Sequence, residues 1–125
     1  MITGVVNSYL EPTTRLQLKG SKGQIQEVEA VIDTGFNGFL TLPPTLIQTL
    51  QLTPIGSGRT ILGNGTQDLY LIYEATVLWD QRWLIVEADG ANTDILIGMG
   101  LLSGYNLHVE VVRGGRVSLD SFRVN

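Results

Sequence analysis

Fifteen glycines divide this chain into short β-branched and aliphatic runs, and that spacing most limits what it can fold into. Val5 to Tyr9 and Arg15 to Lys19 alternate polar and apolar positions, the pattern of strands with one buried face. Ser21-Lys22-Gly23 reads as a turn into the next strand, Ile25 to Ile32, which ends in a continuous apolar run. Phe39 to Leu42 is a short strand stopped by Pro43-Pro44. Pro44 to Leu50 is the best helix candidate: proline is tolerated in a first turn, and Leu46, Ile47 and Leu50 share one face.

Farther along, Ile61-Leu62 and the stretch from Leu69 to Trp79 flank Gly63-Asn64-Gly65. An Asn-Gly pair predicts a type I′ hairpin turn, in which both central residues take positive φ. Arg82 to Ala88 reads as a strand and Asp89-Gly90 as a turn. Asp94 to Ile97 reads as a buried strand and Met99 to Ser103 as one helical turn. Tyr105 to Val112 and Arg116 to Phe122 form a last hairpin across Gly114-Gly115. Strands this short and frequent predict an all-β chain, a small closed antiparallel barrel with one or two short helices. No repeat, linker or low-complexity tract interrupts it, so residues 1–125 read as one domain.

Hydrophobic residues make up 43% of the 125 and charged residues 16%, a balance that supports a packed core and excludes disorder. So few charges leave much of the surface neutral, as a face covered by a second subunit would be. The net charge is -4 and the basic residues are scattered, so there is no nucleic-acid footprint. With no cysteine and one histidine, disulfides and the usual zinc sites are excluded, and no metal is expected. Met1-Ile2-Thr3-Gly4 carries no basic segment followed by an apolar run, and no stretch approaches the roughly 20 apolar residues of a membrane span. A soluble cytoplasmic protein without a membrane partner is the expectation.

The sharpest local feature is Ala30-Val31-Ile32-Asp33-Thr34-Gly35, an apolar strand running into a small acidic turn. The strand would hold Asp33 rigidly, and Gly35 allows a tight turn that aims its amide at the carboxylate. Thr34 adds a hydroxyl able to bond nearby backbone. Taken alone, the tripeptide reads first as an Asx turn capping a strand. A second apolar strand, ending in Leu96-Ile97-Gly98, lies 98 − 33 = 65 residues later, with the glycine hairpin between.

In this order — Asp-Thr-Gly, proline-bounded segment, glycine hairpin, long strands, apolar-apolar-Gly — the chain resembles the retropepsin-like single-domain aspartic peptidases from about Val28 to the last hairpin. Asp33-Thr34-Gly35-Phe36-Asn37-Gly38-Phe39 with Pro43-Pro44, and Leu96-Ile97-Gly98-Met99-Gly100-Leu101-Leu102, look like the small bacterial members. The resemblance implies peptide hydrolysis by two carboxylates sharing one proton, without a cofactor. Of six aspartates, only Asp33 is followed by Thr-Gly or Ser-Gly. One motif per chain then implies a homodimer with Asp33 facing its mate across a two-fold axis. Thr34 would brace the opposite loop, and Gly35 would donate to the carboxylate. Leu96-Ile97-Gly98 would support the active-site loop. The hairpin Leu62-Gly63-Asn64-Gly65-Thr66, with Gly58 near its base, would close as a flap over an extended peptide or protein substrate.

The match has departures. Viral members join an aspartate two residues after the motif glycine to an arginine directly after the later glycine; here Asn37 and Met99 stand there, which implies an apolar dimer contact. Phe36 replaces a small residue and would fill a substrate pocket or the interface. In the viral enzymes the chain termini form an inter-subunit sheet, and the counterparts here are Met1–Val6 and Arg116–Asn125. Outside the motifs, His108 reads as a solvent-facing strand residue, Trp79 and Trp83 as packing or turn aromatics, and Arg113 and Arg116 as edge charges. Asp94 reads as a solvated turn. Two rival functions remain: a retropepsin-like dimerisation or peptide-binding module that cuts slowly or not at all, and a β-barrel ligand carrier, which leaves the paired motifs unexplained.

Overall fold

The structure is a computed structural model and describes residues 1–122. Among them are strands β1 (Ile2–Val6), β2 (Pro12–Lys19), β3 (Ile25–Ile32) and β4 (Leu40–Leu42), then helix α1 (Pro44–Leu50). Strands β5 (Pro54–Ile61), β6 (Gln67–Trp79), β7 (Arg82–Gly90) and β8 (Leu96–Ile97) follow, then helix α2 (Met99–Leu102) and strands β9 (Tyr105–Val109) and β10 (Arg116–Ser121). The described residues are mostly β, with two short helices. No helix among the described residues is long and apolar enough to cross a membrane.

The strands pair in the order β5-β6-β7-β4-β8-β3-β2-β1-β10-β9, and β6 also pairs with β2 through Gln17–Lys19 and Thr76–Leu78. That extra pairing closes a ring of hydrogen-bonded neighbours through β2, β3, β8, β4, β7 and β6. The ring is not antiparallel throughout. β8 lies between β3 and β4, parallel to the first and antiparallel to the second. Strands β3 and β4 run oppositely, so any strand placed between them must be parallel to one. β4 and β7 are the other parallel pair.

Inside the ring, Leu16, Leu18, Ala30, Ile32, Leu40, Leu42, Val77 and Ile97 are buried in one cluster. Fully burying an aliphatic side chain of this size is worth about 1.5–3 kcal/mol. Helix α1 starts on Pro44 and packs Leu46, Ile47 and Leu50 into the same cluster. It stops at Gln51, whose left-handed φ of 52° lets its amide return to the Gln48 and Ile47 carbonyls.

Several local expectations are corrected. The first strand is Ile2–Val6, not Val5 to Tyr9, because Asn7 starts a turn: its Oδ1 accepts the Tyr9 and Glu11 amides. In that turn the Leu10 amide bonds to the Asn7 carbonyl, and Leu10 takes a φ of 61°, a left-handed conformation that costs an L-residue about 1–2 kcal/mol. The Gly63-Asn64-Gly65 loop is not type I′, since only Gly65 has positive φ, at 83°. The Gly65 amide bonds to the Leu62 carbonyl and the Leu62 amide to the Thr66 carbonyl, which makes a three-residue loop with its left-handed residue last. Asp80 and Gln81, at φ 51° and 70°, instead form a two-residue turn between the paired Trp79 and Arg82. Asp89-Gly90 lies within β7 and turns nowhere.

At the chain ends, β1 pairs along β10, and β10 also pairs with β9. The other edge of β1 is covered by β2: the Thr13 and Thr14 hydroxyls donate to the Val5 and Thr3 carbonyls, each at 2.8 Å. Both edges of each terminal strand are thus taken within the chain. Of the terminal segment Arg116–Asn125, residues Arg123, Val124 and Asn125 lie outside the described residues.

Candidate active site

Asp33 stands where β3 leaves the core. Ile32, immediately before it, is 4% exposed, and the Asp33 amide donates to the Ile97 carbonyl at 2.9 Å. The residue is therefore anchored on its backbone side by the neighbouring strand. On the other side the chain bends at once: the Gly35 amide donates to Asp33 Oδ1 at 2.8 Å, and the Phe36 amide to the Asp33 carbonyl at 3.2 Å. A carboxylate taking a backbone amide two residues on is an Asx-type turn. Asp33 is half-buried, and Thr34 and Gly35 are exposed.

Leu96-Ile97-Gly98 is held in the loop that Asp33 opens. Ile97 is fully buried between β3 and β4. The Gly98 amide donates to the Phe39 carbonyl at 3.0 Å, the Met99 amide to Phe36 at 2.7 Å, and the Gly100 amide to Gly38 at 3.0 Å. A β-carbon on Gly98 would stand 2.5 Å from the Phe36 ring and 2.8 Å from the Phe36 carbonyl oxygen. No larger residue fits there without moving the loop. Buried Thr41 fixes the approach to this strand, its hydroxyl accepting the Leu96 amide and donating to the Asp94 carbonyl. The two motifs, 65 residues apart in sequence, are one hydrogen-bonded unit.

The flap candidates Leu62, Gly63, Asn64, Gly65 and Thr66 form the exposed tip of the β5–β6 hairpin. Asn64 Oδ1 accepts both the amide and the hydroxyl of Thr66, stiffening the tip. Gly58 sits in the arm of this hairpin, opposite Tyr70, whose ring lies across it. A groove of about 510 Å³ separates the arm from the Asp33 loop, with Thr60, Asp68, Leu69 and Tyr70 on one side and Phe36 and Thr41 on the other. Asp89, Gly90, Ala91 and Asn92 complete it. Neither Asp33 nor the hairpin tip lines this groove; the link to Asp33 is Phe36, at the end of the same turn.

Asp68, Tyr70 and Asp89 are groove residues that the motif reading missed. They lie in long strands without a local signature; only the Gly58–Tyr70 pairing hints at one. Desolvation by burial holds the Asp89 carboxyl above the ordinary carboxylate range, and the charge of Glu87 adds to it. The remaining candidates are placed away from the Asp33 turn: His108 is exposed on β9, Trp83 lies under the Lys19 ammonium at 4.2 Å, and Trp79 is buried against Tyr105.

Two solved structures share this fold. A retropepsin-like aspartic protease from Rickettsia conorii superimposes with a TM-score of 0.59 at 12% identity, over 98% of this chain and 91% of that one. EIAV protease complexed with the inhibitor HBY-793 gives 0.58 at 18% identity, over 74% of this chain and 85% of the other. Neither a protein-family model nor a curated protein sequence matches the chain. The chain has the retropepsin-like fold.

Proposed function

We propose that this chain is a single-domain half of a homodimeric aspartic endopeptidase, with Asp33 of each copy as one of two catalytic carboxylates. The observation that carries the reading is the insertion of Leu96-Ile97-Gly98 between β3 and β4, beside a half-buried Asp33 whose carboxylate takes the Gly35 amide. An Asx turn that merely caps a strand has no use for a second, distant strand threaded through its loop. The fold shared with two aspartic proteases supports the same reading.

In the proposed reaction the two carboxylates hold one proton between them. The ionised one takes a proton from a water whose oxygen attacks the scissile carbonyl carbon. The protonated one gives its proton to the carbonyl oxygen, so the tetrahedral intermediate is neutral. Its collapse breaks the C–N bond: the amine leaves with a proton returned from the first carboxyl, while the second carboxylate takes a proton back from a hydroxyl of the intermediate, which leaves a carboxylic acid and restores the shared proton. Thr34, with no hydrogen-bond partner for its hydroxyl among the described residues of its own chain, would brace the facing loop. The hairpin tip, Leu62 to Thr66, would close over the peptide as a flap, holding the backbone by strand-like hydrogen bonds. Bulky apolar side chains beside the scissile bond suit the apolar wall at Phe36, and the reaction takes place in the cytoplasm without a cofactor.

Incubating the protein and Asp33→Ala with a peptide mixture from pH 3 to 7 tests this. Cleavage is expected from the unaltered protein alone, fastest on the acidic side, and equal cleavage by both removes Asp33 from the chemistry.

A further inference from the structure

Two loops at the Asp33 end of the strands remain unused by the site. Strand registers place the Asn7–Glu11 turn and the 110–115 loop at that end: Val6 pairs with Pro12, Thr13 with Val31, and Arg116 with Val5. The two loops are tied together, since Arg113 Nε donates to the Ser8 carbonyl and the Gly114 amide to the Val6 carbonyl. Tyr9 lines one cleft with Val31 and Ile95, the residues that lead into Asp33 and Leu96.

These tips carry apolar side chains that the monomer leaves in water. Tyr9 is 82% exposed, Val111 66%, Val112 61% and Leu10 48%. Leu10 is also the left-handed residue of its turn. The hairpin of Leu62 to Thr66 has the same hydrogen-bond pattern and puts Gly65 at the equivalent position. A leucine that strains the backbone and then stands half in solvent gains nothing inside one chain, and strain of this kind concentrates at functional surfaces. Both charge signs flank the patch: Arg113 has no carboxylate partner among the described residues, and Glu29 is exposed in the same cleft as Tyr9. A two-fold contact joins such groups reciprocally.

We infer that a second copy of this chain docks on the tips of the Asn7–Glu11 turn and the 110–115 loop, while β1 and β10 stay paired in their own chain. The inference rests on the homodimeric reading above and specifies its contact. Exchange of terminal strands would require breaking the β1–β10 ladder and the two threonine bonds to β1. Docking by the tips breaks nothing, and it buries apolar groups beside the unit that needs its mate.

Sedimentation equilibrium at micromolar concentration tests this with three proteins: the unaltered chain, Val111→Glu with Val112→Glu, and Thr3→Cys with Ser118→Cys. Thr3 and Ser118 face each other across the β1–β10 ladder, and the chain has no other cysteine, so oxidation locks the strands in cis. The unaltered and locked proteins are expected to dimerise alike. The glutamate variant should keep its circular dichroism and melting temperature and dimerise more than about tenfold more weakly, because like charges then meet across the axis. Equal dimerisation by the glutamate variant, a monomeric locked protein, or an unaltered chain that never dimerises overturns the inference. Peptide cleavage separates it from the catalytic reading. Asp33-dependent cleavage that survives both glutamates sinks the docking surface alone, whereas a tip-dependent dimer that cleaves nothing sinks the hydrolase alone.

Discussion

Gly98 passes so close to Gly38 that a β-carbon on it would stand 2.2 Å from the Gly38 carbonyl oxygen. The contact is backbone on backbone, so no side-chain rotation relieves it. It joins the strand that supports Asp33 to the loop that Asp33 opens, and it makes the site part of the core rather than an addition to it.

Gly98→Ala should therefore cost about 3 kcal/mol, at the upper end of overpacking penalties. Gly63→Ala is the control: nothing among the described residues lies within 4 Å of a β-carbon there, and its φ is not left-handed. It should leave stability unchanged or raise it by up to about 1 kcal/mol through the unfolded chain. Urea unfolding of both variants reads the contrast, and equal losses would deny the tight passage.

Trp79 is 4% exposed, its ring meets Tyr105 edge-on at 5.9 Å, and its Nε1 has no hydrogen-bond partner among the described residues. A buried donor without an acceptor contributes a penalty, while the ring contributes packing. Trp79→Phe should then unfold within about 1 kcal/mol of the unaltered protein, and Trp79→Ala should lose about 3–5 kcal/mol. A large loss in Trp79→Phe would mean that the N–H is satisfied in solution.

Asp89 gives a pH signature. Its carboxyl is raised in the folded chain by burial first and by Glu87 second, so the folded state holds this proton more tightly than the unfolded state does. The stabilising contribution is complete below the unfolded value of about 3.8 and is lost as pH rises through the higher folded value. Asp89→Asn should thus melt above the unaltered protein at pH 7 and lose that advantage on acidification below pH 3.8. A gap independent of pH would contradict the assignment.

Asp33→Asn keeps the shape of the side chain and can still accept the Gly35 amide, but in the proposed dimer it could not exchange a proton with its mate. Stability should change little, and peptide cleavage should fall by at least about 1,000-fold, within the range of lost acid–base catalysis. A variant that still cuts at a tenth of the original rate would point to chemistry elsewhere.

Where periodicity and punctuation are local, the residues announced their structure: β3 ends in an apolar run and α1 begins on proline, and both span the expected residues. Two motifs far apart in sequence also meet, through the Asp33 amide and the Ile97 carbonyl. Pairing direction is a different matter, because nothing within Leu96-Ile97 states that it will run parallel to β3. Strand β5 went unread upstream of Ile61 because it is exposed along almost all of Pro54–Ile61, so no alternation marks a buried face. The Asp80-Gln81 turn lacks the glycine that usually signals positive φ, and the strands it joins impose it. Conversely, Asp89-Gly90 has turn chemistry, but pairing with Leu42 and Ile72 on either side keeps it extended.

The most direct test is a crystal structure of the dimer, from which the distance between the two Asp33 side chains is measured. Carboxylates about 3 Å apart, close enough to share a proton, are the predicted result. Two well-ordered Asp33 residues on opposite outer faces of the assembly would contradict it, however well each chain keeps its fold.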